Sequence, residues 1–143
     1  MAITLKCQYA LRALFELARR DGDGTARIGD IADAQKIPMR FLEVILKELK
    51  QGGFTVSRRG KAGGYALSRP PADITVGDVI RFVQGPLSPV DQSKGSPARD
   101  DVFGPLWDRV EAATAEIYDS TTLHGLLDAE SERLARVHPN FHI

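Results

Sequence analysis

The sequence predicts a mainly α-helical fold with one small β-hairpin, and three observations carry that reading. Apolar residues recur at helical spacing over 3–20, 38–51 and 103–117. Residues 54–68 alternate in character around Arg59-Gly60-Lys61-Ala62-Gly63-Gly64, where three glycines in six positions suit a tight hairpin tip. One stretch, 85–101, holds two Gly, three Pro and three Ser and no periodicity, so it reads as a flexible loop.

The elements follow in order. Cys7, Ala10, Leu11, Leu14, Leu17 and Ala18 share one side of a helix running from Ile3 to Arg20, which Asp21-Gly22-Asp23-Gly24 ends. A short second helix fits Ile28 to Gln35, with Ile31 and Ala32 inward. Pro38 suits the first position of a third helix, where its missing N–H costs nothing, and Gly52-Gly53 stop that helix. Two strands, Phe54–Arg58 and Tyr65–Ser68, form the hairpin. Thr75-Val76-Gly77-Asp78 resembles a capping box that opens a helix to Gln84, with Val79, Ile80 and Val83 as its apolar side. Beyond the loop, Phe103, Leu106, Trp107, Val110, Ala113 and Ile117 mark a long helix, and a last helix runs from Thr122 through Leu134. Three helices followed by a glycine-tipped hairpin is the order of a winged helix-turn-helix.

Composition narrows the function classes. With 143 residues, 43% of them hydrophobic and 27% charged, the chain can bury a real core. No apolar run approaches the ~18 residues a bilayer crossing needs, so no membrane partner is expected. The N-terminal stretch carries charges and a Gln and lacks a small-residue cleavage site. It reads as a helix of the mature protein, and the expected location is the cytoplasm. A single cysteine, Cys7, excludes an intramolecular disulfide and a Cys-rich zinc or iron–sulfur site made by one chain. The net charge of zero is divided: residues 1–69 carry 13 Lys+Arg against 7 Asp+Glu, and residues 70–143 carry 6 against 12. A basic front half suits nucleic acid.

Leu42, Ile45, Leu46 and Leu49 must face inward on the third helix, which leaves Arg40, Glu43, Val44 and Lys47 on the opposite side. Arg40, Glu43 and Val44 fall in the first two turns, the part of a recognition helix that reaches base edges. Arg suits guanine O6 and N7, Glu suits a cytosine amino group, and Lys47 suits phosphate. Arg58, Arg59 and Lys61 cluster at the hairpin tip. An Arg there suits the minor groove, and backbone N–H groups near Gly63 suit phosphate. Gly60-Lys61 is not a nucleotide-binding loop, because Ala62 and a second strand follow the lysine where Ser/Thr and a helix are required.

Tyr9-Ala10-Leu11-Arg12-Ala13, Ile31-Ala32, Ile37-Pro38, Phe41-Leu42-Glu43 and above all Arg58-Arg59-Gly60 with Gly63-Gly64-Tyr65 closely resemble the Rrf2 family of bacterial winged-helix transcription regulators. The likeness continues through Asp78-Val79-Ile80 and fades by residue 127. It implies a homodimer held mainly by the long helix, with Phe103, Leu106, Trp107, Val110 and Ile117 at the contact. It also implies base contacts from Arg40 and Glu43, a wing arginine at Arg59 in the minor groove, and a pseudo-palindromic DNA site. On this reading residues 1–85 are the DNA-binding domain, 86–101 a flexible loop, 102–136 the dimerisation helices and 137–143 a tail. Cluster-binding members place three cysteines in the segment corresponding to 85–105, where this chain has none, so no cofactor is expected.

The expected function is a DNA-binding transcription regulator, a homodimeric repressor without a cluster. The alternative is an interaction module that docks a partner enzyme and binds DNA weakly or not at all. An enzyme is disfavoured, since no nucleophile–base pair, paired carboxylates or metal constellation is apparent. Cys7 on the apolar stripe reads as a core residue, with a redox switch as the functional alternative. His124, His138 and His142 lack metal spacing and read as surface residues. Phe103 and Trp107 read as dimer core, or as walls of a small-ligand pocket beside the loop.

Overall fold

In a computed structural model, residues 2–60 and 63–137 are described; Lys61, His138 and His142 lie outside them. Helix α1 (Leu5–Arg19) starts later than its apolar pattern, because the Thr4 hydroxyl accepts the Cys7 N–H at 3.1 Å and caps it. Helix α2 (Ile28–Gln35) ends at Lys36, which adopts the left-handed conformation at φ 55° and ψ 47°. Helix α3 spans Met39–Gln51. Pro38 is its cap and not its first residue. Pro38 has ψ 131°, outside the helical range, while its carbonyl already accepts the Phe41 and Leu42 N–H groups at 3.1 Å. Gly53, at φ 82°, turns the chain away from α3.

Strands β1 (Thr55–Arg58) and β2 (Gly64–Leu67) pair antiparallel, with Thr55 opposite Leu67 and Arg58 opposite Gly64. Ala26 adds a further rung: its N–H reaches the Tyr65 carbonyl at 2.8 Å, and the Tyr65 N–H returns at 2.7 Å. That rung ties the loop before α2 to the wing. A 3-10 turn at Pro71–Asp73, which the sequence showed only as a strand break, leads to α4 (Val76–Gln84). Thr75 caps α4 through the Asp78 N–H at 3.0 Å. Helices α5 (Phe103–Ser120) and α6 (Leu123–Val137) complete the chain. Among the described residues the fold is thus six helices and one two-stranded hairpin, the predicted winged helix-turn-helix order.

Helix α1 is the centre of the core. Ala13 and Leu17 pack with Ile31, Ile37, Leu42 and Leu46 of the helix-turn-helix. Ala10, Leu14 and Ala18 pack with Ile45, Leu49, Ile74, Val79 and Leu123. Full burial of side chains such as Leu14, Leu42 and Leu123 contributes roughly 1.5–3 kcal/mol each.

Leu123 is notable because it opens α6. Its N–H reaches the Ile74 carbonyl at 3.0 Å, and the Val76 N–H reaches Thr121 O at 2.8 Å, so α6 returns to the core that α1 organises. Helix α5 is capped at its start and anchored to α4 near its end. At its start the Asp101 carboxylate accepts the Phe103 and Gly104 N–H groups at 3.0 and 3.2 Å, and near its end Asp119 binds Arg81 through two bonds of 2.6 and 2.8 Å. Along α5 Phe103, Leu106, Val110 and Ile117 stand between 39% and 64% exposed, an apolar strip that the other described residues leave uncovered.

Candidate nucleic-acid interface

Helix α3 buries Leu42, Ile45, Leu46 and Leu49, so at 100° per residue Arg40, Val44, Lys47 and Gln51 point the opposite way, with Glu43 beside them. All five are exposed. The Arg40 guanidinium lies 5.2 Å from the Phe41 ring centroid, a cation–π contact that restrains the side chain without neutralising it. Lys6 holds the flank of α3 through a 2.7 Å ion pair with Glu48. At the other end the Lys50 ammonium donates to the Ser57 hydroxyl at 2.6 Å and fastens α3 to β1. Recognition helix and wing are therefore tied directly to each other.

Arg58 and Arg59 are exposed at the wing. Gly60, at φ 99°, makes the turn that only glycine adopts easily. Gly63 differs from its expected role. It is buried, and its N–H donates to the Gly60 carbonyl at 2.9 Å, so it shapes the tip and has no free donor for phosphate. Any side chain on Gly64 would run into the Ala26 carbonyl, so the rung between Ala26 and Tyr65 requires glycine there.

Charge is distributed unevenly among the arginines. Arg19, Arg20, Arg81 and Arg99 are committed to carboxylates. Among the described residues Arg40, Lys47, Arg58 and Arg59 have no ion-pair partner, and neither does Glu43. Unpaired cations on an exposed helix face and its neighbouring hairpin leave a surface ready for an anionic duplex.

Sequence reasoning missed one supporting group. Glu16 is 3% exposed, yet charged. Its carboxylate accepts Arg20 Nε at 2.6 Å, Gln35 Nε2 at 3.0 Å and an Arg19 nitrogen at 3.2 Å, while Arg19 also meets Glu130 of α6 at 3.3 Å. The chain of bonds links α2, α1 and α6 behind the interface. The available signal was a Glu inside an apolar helix with arginines three and four residues on.

The family model for Rrf2, described as an iron-dependent transcriptional regulator, matches residues 3–129. The chain belongs to the Rrf2 family. Over 136 residues it is 38% identical to the HTH-type transcriptional regulator CymR of Bacillus subtilis, covering 92% of this chain and 96% of that one. The structure of CymR, the global cysteine regulator of B. subtilis, superposes with a TM-score of 0.77 at 35% identity, over 90% of this chain and 98% of that one. IscR of T. potens also gives 0.77, at 32% identity over 93% and 90%. This Rrf2 member is a DNA-binding transcription regulator of the helix-turn-helix type, in a family of transcription regulators.

The donors present do not suit the iron of the family description. The one thiol, Cys7, is fully buried on α1 among Val76, Ile80 and Leu87, and burial pushes its pKa up. It lacks the access and the thiolate character that a redox switch or a ligand needs. The loop from Gly85 to Asp101 has no cysteine, and among the described residues no group of three His, Cys, Asp or Glu is placed to hold a metal. The residues present do not fit an iron–sulfur cluster. His124 is exposed, with Asp128 at 3.5 Å. No described helix is long and apolar enough to cross a membrane.

Proposed function

We propose that this Rrf2 member is a cytoplasmic homodimeric repressor, without enzymatic activity or an iron–sulfur cluster, that occupies a pseudo-palindromic DNA site. The observation that carries the reading is the set of exposed cations without carboxylate partners on α3 and the wing. Arg40, Glu43 and Val44 read base edges in the major groove, Lys47 and Arg58 meet phosphates, and Arg59 enters the adjacent minor groove. The uncovered strip of Leu106, Val110 and Ile117 on α5, with Phe103 and Trp107 at its edge, supports a two-fold contact between copies. Residues 1–85 then serve DNA binding and α5 serves assembly. Two such units address half-sites about one helical turn, ~34 Å, apart. A dimer seated over a promoter represses by excluding polymerase.

Selection of bound fragments from genomic DNA, followed by titration of the selected site, tests the reading. Arg40→Ala should cost about 1–3 kcal/mol and relax choice at one base position. Arg59→Ala should weaken binding and reduce any preference for A·T flanks. Unchanged binding by Arg59→Ala would remove the wing from the interface, and failure to select any site would overturn the repressor assignment.

A further inference from the structure

A concave space of about 560 Å³ lies between the 90–101 loop and the first turns of α5, and the DNA interface makes no use of it. Its apolar wall includes Phe103 and Trp107, one helical turn apart, whose rings stack at 18° with centroids 6.2 Å apart. Phe103 is 55% exposed, so a flat π-surface faces the space. Opposite charges on the rim are not balanced. Arg99 lines the space, but its guanidinium is held by Asp108 at 3.1 Å and by the Ser88 hydroxyl at 2.9 Å. Asp91 and Asp101 also line it, and among the described residues neither has a cationic partner. Among the described residues the Asp91 carboxylate accepts from Ser93 alone, through its N–H at 2.8 Å and its hydroxyl at 3.0 Å, while the Asp91 carbonyl accepts the Ser96 hydroxyl at 2.7 Å. Asp101 uses Oδ1 to cap α5, and its Oδ2 has no partner among the described residues.

We propose that this space binds a small flat organic cation, an aromatic bearing an amidinium or ammonium group. The ring stacks on Phe103 and Trp107, and the charged end meets Asp91 and Asp101. Both halves of the recognition follow from the surface: the negative face of an aromatic ring attracts a cation, and two carboxylates without counter-charges add to that field. An anion fails because the one cation on the rim is already neutralised. The site adjoins the α5 seam and shares Phe103 and Trp107 with its edge, while Leu106, Val110 and Ile117 carry the rest of that strip.

Benzamidinium, benzamide and benzoate share one shape and differ in charge, and they are the probes. The chain has one tryptophan, so its indole N–H gives a single NMR resonance that reports from the wall of the site. In the full chain, benzamidinium should shift the Trp107 indole signal saturably and bind about ten-fold or more tighter than benzamide, with benzoate weakest. The variant carrying Asp91→Asn and Asp101→Asn keeps a side-chain oxygen for each turn and cap, and its DNA affinity without ligand should match that of the parent chain. It should lose that charge preference, so that benzamidinium and benzamide bind alike. Equal binding of benzamidinium and benzoate to the parent chain, no saturable shift of Trp107, or full charge preference in the double variant would each overturn the proposal. DNA affinity is read separately, so failure here leaves the repressor reading standing.

Discussion

Replacing Glu16 with Gln tests whether the buried carboxylate holds the helix-turn-helix in place. All three of its partners donate: Arg20 Nε at 2.6 Å, Gln35 Nε2 at 3.0 Å and Arg19 at 3.2 Å. A glutamine keeps one acceptor oxygen and turns an NH2 group towards a donor, so at least one bond is lost and the charge with it. A hydrogen bond to a charged group contributes roughly 1.5–3 kcal/mol net. Arg19 and Arg20 are 47% and 38% exposed, so water recovers part of what they lose. The expected loss is therefore about 1–2 kcal/mol, below the ~3–5 kcal/mol of breaking a fully buried pair. Urea unfolding at pH 7 followed by circular dichroism should show a lower midpoint with an unchanged slope. The pH dependence gives a second check. Burial pushes the Glu16 carboxyl up, but the bonds from Arg20 and Gln35 and the charges of Arg19 and Arg20 outweigh it and leave it below the ordinary range. Its contribution is thus complete above the unfolded carboxyl range, ~4.3, and is lost as pH falls through the lower folded value. The two stability curves should converge in acid. No gap at pH 7, or a gap that does not narrow below pH ~4, would refute this account of Glu16.

Two further outcomes are expected. Lys36→Gly relieves a left-handed residue in the turn of the helix-turn-helix, which costs roughly 1–2 kcal/mol with a Cβ, and glycine's extra freedom when unfolded offsets part of that gain. Thermal unfolding should show stabilisation of about 0.5 kcal/mol, and a destabilised variant would contradict the strain argument. If Lys47 meets phosphate in each half of the proposed dimer, Lys47→Ala should shrink the slope of log affinity against log salt by about 1.8; an unchanged slope would remove Lys47 from the phosphate contacts.

What was legible in the sequence followed from periodicity and turn chemistry. The inward leucines of α3 fixed which residues stand outside, and the glycines after Arg59 marked the wing. The Thr75 cap of α4 was readable for the same reason: the Asp78 N–H it accepts is close in sequence. Long-range partners were not readable. Leu123, Leu126 and Leu127 show an apolar face without saying that it packs on α1 and Ile74. Gly63 was read as a donor because its N–H is available until the Gly60 carbonyl curls back on it, a fact of φ angles that letters do not carry. Glu16 is not legible as a buried group because a charged residue in a helix is usually solvated, and the approach of Gln35 from α2, which joins Arg19 and Arg20 in making its burial tolerable, is not written locally.

Because α6 re-enters the same core as α1, α5 is tied to that core at its far end and is not an appended handle. A tilt of α5 against a second copy would pull on the 71–76 segment through Thr121 and on α4 through Asp119. Both lead into α1, whose Ala10, Leu14 and Ala18 also seat α3 through Ile45 and Leu49. In the proposed dimer that continuity would set the spacing between two copies of α3, and a fragment cut before residue 121 would lose Leu123 from the core on which α3 rests.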